Sequence, residues 1–212
     1  MSKPTYNDSV FINCPFDDDY KPILRAIAYA IYRCGFFPQT ALDEDDGTEI
    51  RLLKIIRKIK GCRYGIHDLS RVELNNANFP RFNMPFELGI FFGAKHFGSV
   101  QQNRKNALIP EREKNTYQQY ISDLSGIDTK AHNNDPATAL KRVHSWLNTT
   151  SRRKTIPGEK ALLTHFEEFE LALPDLAAET GYTIDNLPFK VRRGRLRVIP
   201  PRRIGSTSRR SC

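Results

Sequence analysis

The sequence predicts an α/β protein built on a doubly wound, mainly parallel sheet, and three observations carry that prediction. Short apolar runs, Ser9-Val-Phe-Ile-Asn13, Cys62-Arg-Tyr-Gly-Ile-His-Asp68 and Ala107-Leu-Ile-Pro110, are separated by amphipathic segments of helical period. The runs lack the polar alternation of half-exposed strands, as expected where helices cover both faces of a sheet. The segments between them are long enough to form the crossover helices that parallel pairing requires.

Each element has a local reason. The first strand, 9–13, is stopped by Cys14-Pro15, and Asp17, Asp18 and Asp19 are available to cap the helix that follows. In that helix Ile23, Leu24, Ile27, Ala30 and Ile31 recur at helical spacing up to Cys34, and Gly35 supplies the stop. A second strand is expected over 36–42. A second helix over 48–60 turns Ile50, Leu53, Ile56 and Ile59 inward and its Lys and Arg side chains outward. After the third strand, 62–68, comes a loop, 69–82, rich in Asn and Pro. Asn83 can cap a third helix, whose first turn tolerates Pro85 because an N–H is not needed there.

A fourth strand is read at 107–110 and an amphipathic helix at 136–147, whereas 117–124 fits neither period. The chain divides into an α/β domain over 1–150, a helical C-terminal extension over 151–189 and a basic tail over 190–212 with the composition of a disordered segment. In the extension a helix over 158–173 carries Leu162, Leu163, Phe166, Phe169 and Leu173 on one side, to pack on the domain or on a partner. Pro174 is read as lying beyond that helix.

The formal charge of +9 has an address. The tail holds nine Lys or Arg and no acid, which leaves 24 bases against 24 acids in the rest of the 212 residues. Any attraction to nucleic acid therefore belongs to the tail alone. Cys14, Cys34, Cys62 and Cys212 form no C-x-x-C pair, so neither a zinc site nor a disulfide framework is indicated, and a reducing, cytoplasmic setting suits them. The start MSKPTYND lacks the apolar core of a signal peptide. The most apolar stretch, 23–37, is broken by Arg25 and Arg33, so no membrane span is expected.

Ligands of open parallel sheets collect at the carboxyl ends of the strands, where Asn13, His67, Asp68 and Ser70 fall and where the helix carrying Glu87 begins. Glu87 is the one acid in the apolar nonamer 84–92. Its first-turn position lends it the free N–H groups of a helix start, an effect of about 0.3–1 kcal/mol. A capping acid whose head reaches water and a carboxylate kept for chemistry both fit. Gly89 and Gly93 weaken that helix by roughly 1 kcal/mol each, which implies a close approach, either to the sheet or to a ligand. Asp68 and Ser70 can hold ribose or phosphate or cap the next turn, and Arg71 can pair with an anion or with Glu73. The sequence has no G-x-G-x-x-G, no Walker A motif, no H-E-x-x-H and no G-x-S-x-G, and no base can be named for Cys14, which reads as structural.

With these residues, VFINCPFD at strand one, YGIHDLSR after strand three and NMPFELG opening the next helix, the chain resembles the superfamily shared by nucleoside 2-deoxyribosyltransferases and TIR domains, especially bacterial TIR-like members. The stretch YQQYISDLSGID and the helix ending in Trp146-Leu147 also suit that group, and coverage runs over about residues 8–147. The resemblance implies a flavodoxin-like, doubly wound sheet of about five parallel strands with helices on both faces. It further implies that N-glycosidic bonds between ribose and base are cut or exchanged, with Glu87 as the catalytic carboxylate.

On that footing Asn13 and Phe16 line the pocket, Asp68 and Ser70 orient ribose or phosphate, and Asn83 positions the loop. Arg81 suits a phosphorylated substrate such as NAD better than a bare nucleoside. No metal and no cofactor beyond NAD as substrate is implied. The expected activity is an NAD nucleosidase or cyclase, with deoxyribosyl transfer as the enzymatic runner-up, serving bacterial antiphage defence and requiring a homo-oligomer or partner protein for activation. The alternative is a non-catalytic, nucleotide-binding TIR-type adaptor. The loop before the glutamate reads FPRFN where the transferases are acidic, and their second-subunit residue has no counterpart in this sequence.

Overall fold

The computed structural model describes residues 4–44, 46–71 and 82–184. In chain order the elements are β1 (Ser9–Asn13), α1 (Lys21–Arg33), β2 (Phe37–Gln39), α2 (Arg51–Lys60), β3 (Tyr64–His67), α3 (Asn83–Phe97), β4 (Asn106–Leu108), β5 (Pro110–Glu111), β6 (Lys130–Ala131), α4 (Pro136–Ser151) and α5 (Glu159–Glu179). Strands β2-β1-β3-β4 form a four-stranded sheet in that order, every neighbouring pair parallel. After the single residue Ile109, β5 takes β6 as a parallel neighbour.

Alternate residues of the strands face two different sets of helices, as a pleated sheet requires. Val10, Ile12, Tyr64, Ile66 and Leu108 share a core with α1, α4 and α5, while Phe11 and Ala107 pack with Ile55 and Ile59 of α2 and Phe91 of α3. The helix beyond residue 150 belongs to the first core. Leu162, Phe166, Phe169 and Leu173 of α5 are buried there against Tyr29, and Arg25 of α1 grips Glu170 through two 3.0 Å hydrogen bonds.

Several expectations are corrected. Helix α2 starts at Arg51, and its buried face is Lys54, Ile55, Lys58 and Ile59, whereas Ile50, Leu53 and Ile56 are exposed. The lysines turn inward because their ammonium groups find oxygen there. Lys54 donates to the Glu44 carbonyl at 3.0 Å and Lys58 to the Glu44 carboxylate at 2.9 Å, so their stems cover apolar surface. Pro174 lies inside α5, which runs on to Glu179 because Leu173 and Ala177 on either side of it are buried. Residues 117–124 form two short 3-10 turns, Thr116–Gln119 and Ser122–Leu124. Asn83 does not cap α3. It is the first helical residue, and Phe82 precedes it as the cap without a side-chain capping hydrogen bond. Arg81, Cys212 and the basic tail lie outside the described residues. No described helix is long and apolar enough to cross a membrane.

Candidate functional site

The parallel register places Asn13 beside His67, so the chain leaves β1 and β3 at one edge of the sheet, and the Asp68 N–H donating to the Asn13 carbonyl at 2.8 Å ties the two exits together. Asn13 is 2 % exposed and its amide works twice. Its Nδ2 donates to the Met84 carbonyl in the first turn of α3 at 2.9 Å and contacts His67 Nδ1 at 3.1 Å. Because an amide nitrogen can only donate, His67 Nδ1 accepts and the ring carries its proton on Nε2. Burial, with the Lys105 charge adding to it, pushes His67 down to about 3, so the imidazole is a neutral spacer packed edge-on against Phe91 at 4.8 Å. This chain of contacts seats α3 over the end of β3.

Glu87 comes next along α3, and it is 7 % exposed. It occupies the fifth helical position, past the first turn, so the free N–H groups of the helix start do not serve it, contrary to the first-turn placement expected from sequence. Among the described residues nothing hydrogen-bonds or ion-pairs with its carboxylate. Burial pushes the carboxyl up to about 7, with the Arg51 guanidinium pulling the other way. A neighbouring thiol senses the same acids. Burial first, then the charges of Asp68, Glu87 and Asp17, raise Cys14 well above the ordinary thiol range, which leaves it protonated and inert as its structural reading requires.

Asp68 is fully buried and its carboxylate is engaged by the protein itself, including the N–H of the next turn, which is the capping alternative read from the sequence. Tyr20 OH donates to it at 2.6 Å, the Ser70 N–H at 2.8 Å, and His132 Nε2 lies 3.2 Å away. His132 Nδ1 accepts from the Asn134 N–H at 3.1 Å, which puts the ring proton on Nε2, facing both Asp68 and Ser70 Oγ at 2.9 Å. A Ser-His-Asp relay needs acid and serine on opposite ring nitrogens, and here both share one. The cluster is a buried lock joining the start of α1 to the ends of β3 and β6, not a nucleophile.

Of the residues selected from sequence, Asn13, Asp68, Ser70 and Glu87 thus gather at this edge. Phe16 is half-buried against the core under α1, Asn83 is exposed, and Arg81 is outside the described residues. Arg71 pairs with Asp17 at 3.2 Å, and Glu73 lies outside the described residues. Gly89 and Gly93 meet nothing: a Cβ at either would stand in open space, so the close approach inferred for them is absent among the described residues. Sequence reasoning placed His67 at this edge without a role and missed Tyr20 and His132. His132 is separated from Asp68 by a 3-10 region of no clear period, and no spacing rule reaches across it. Among the described residues no group of three His, Cys, Asp or Glu side chains could hold a metal ion. The chain matches no family model, and no curated protein matches it significantly in sequence.

Proposed function

We propose that this protein breaks the N-glycosidic bond of NAD or a related nucleotide, with Glu87 as the group that meets the positive charge developing on the ribose. The observation that carries the reading is Glu87 itself: a buried carboxyl at the carboxyl edge of a parallel sheet, raised to about 7, with no hydrogen-bonding partner among the described residues. A desolvated carboxylate stabilises an oxocarbenium-like centre more than it stabilises the neutral sugar, which is the differential a catalyst needs. Nicotinamide leaves NAD as a neutral molecule, so no general acid is required. Asn13 positions the helix bearing Glu87 through Met84, and the Asp68–His132–Ser70–Tyr20 lock fixes the strand ends around it. The motif resemblance adds the finer fold, a flavodoxin-like doubly wound sheet, together with the homo-oligomer or partner that activates such proteins and their place in antiphage defence.

The test offers NAD, nucleoside monophosphates and deoxynucleosides separately and follows release of free base, with Glu87→Gln and Glu87→Ala as controls. Base release abolished by both substitutions is expected; release unchanged by them overturns the assignment. The second reading, a non-catalytic TIR-type adaptor, is favoured by one observation. Leu42, Ile50, Leu53, Phe82 and Phe86 are each more than half exposed on the elements around α2 and α3, a surface suited to a protein partner. Nucleotide binding without turnover selects that reading.

A further inference from the structure

On the free side of β4 a groove of about 930 Å³ opens between α3 and α4. None of the residues grouped around Glu87 lines it. Asn106 donates its N–H inward to the Arg63 carbonyl at 3.1 Å, so alternation turns the N–H and C=O of Ala107 outward into the groove. No strand among the described residues pairs with them. The next outward group, the Ile109 carbonyl, is already bonded by the Lys130 N–H at 3.0 Å. One residue with a free donor and acceptor is too short a ladder to hold an added strand, but it matches the paired donor and acceptor on the edge of a heterocyclic base.

The walls supply the rest of such a ligand's needs. Trp146 of α4 lines the groove with its indole N–H fixed on Asn106 Oδ1 at 2.6 Å, offering a ring held in place. Lys95, Lys130, Lys141 and Arg142 line it against the acids Asp128 and Glu159. Lys95 is bonded to the Lys105 carbonyl and Lys130 to Asp128, whereas Lys141 and Arg142 are exposed on one turn of α4, Arg142 using only its Nε on the Ala131 carbonyl. We propose that this groove is a second binding site, for a phosphorylated aromatic small molecule of the nucleotide class. The base lies on the Trp146 side against the Ala107 backbone, and the phosphates sit at Lys141 and Arg142.

Trp146 is the chain's single tryptophan, so the full chain reports on its own groove. ATP, adenosine, tripolyphosphate and polyglutamate are titrated separately against tryptophan fluorescence, with calorimetry in parallel. A saturable ATP response is expected, with tripolyphosphate competing. The affinity should weaken by roughly tenfold or more in the Lys141→Ala, Arg142→Ala double variant and persist in Glu87→Gln, which separates this site from the one carrying Glu87. No saturable response by either method, a response indifferent to the double variant, loss in Glu87→Gln, or polyglutamate binding as tightly as ATP would each overturn the assignment.

Discussion

Replacing Glu87 with Gln keeps the shape of the side chain and removes the charge, so its effect on stability should depend on pH in a way the burial of Glu87 dictates. A carboxyl raised from 4.5 to about 7 makes the ionised folded state less favourable by on the order of 3 kcal/mol, and at 7 % exposure little of that is screened. Its sign is fixed by proton counting. Between pH 4.5 and about 7 the folded chain holds a proton that the unfolded chain has released, so wild-type stability falls as pH rises through that window and levels off above it. The glutamine has no such proton. The two proteins should therefore be nearly equally stable at the acid end, and the variant should be the more stable at the alkaline end, by up to about 3 kcal/mol or roughly 5–10 °C in Tm for a chain of this size. Urea and thermal unfolding of both proteins at the two ends of the window provide the assay. A gap that is constant with pH, or one in which the glutamine is the weaker protein at alkaline pH, means the carboxylate is satisfied in the fold and the reasoning fails.

Other substitutions test the scaffold. In Gly65→Ala the new Cβ would lie 2.6 Å from the Phe91 ring and 2.8 Å from His67 Nε2, so a loss of about 2–4 kcal/mol is expected in denaturant titration. Gly89→Ala meets open space within α3 and should gain about 0.5–1 kcal/mol by the same measurement. Asp68→Ala strands the Tyr20 hydroxyl and the Ser70 N–H inside the protein, while His132 keeps Ser70 Oγ, and should cost at least about 2 kcal/mol, read as a lowered denaturation midpoint. Base release, where it occurs, should rise with pH to a plateau above about 7, since only the ionised Glu87 stabilises a cation.

How much of this was legible in the sequence depended on whether neighbouring residues or distant ones decided the outcome. β1 was readable to the residue because a buried parallel strand is written as an unbroken apolar run with a proline after it. Glu87 stood out because a single acid among apolar neighbours is anomalous in any fold. In contrast, the orientation of α2 was misread: its apolar residues fit a helical stripe, but Lys54 and Lys58 were drawn inward by oxygens of Glu44, on a loop that periodicity does not see. The locking of Asp68 was hidden for the same reason, since Tyr20 and His132 reach it from 48 and 64 residues away. Helix α5 ran past Pro174 because tertiary burial on both sides outweighed one lost hydrogen bond.

If the proposed NAD activity holds, the raised Glu87 also couples substrate charge to protons. The nicotinamide ring of NAD carries a positive charge before the bond breaks, and a cation beside a half-protonated carboxyl favours its ionised form, so bound NAD must lower the Glu87 pKa from about 7. By linkage, NAD binding below that pH should release up to about one proton, and observed affinity should climb with pH before flattening above it. Calorimetry in two buffers of different ionisation enthalpy measures the release directly. An uncharged deoxynucleoside should give none, and neither should NAD with Glu87→Gln. Proton release that persists in that variant, or uptake in place of release, would place the substrate's charge away from Glu87 and remove the electrostatic basis for its role.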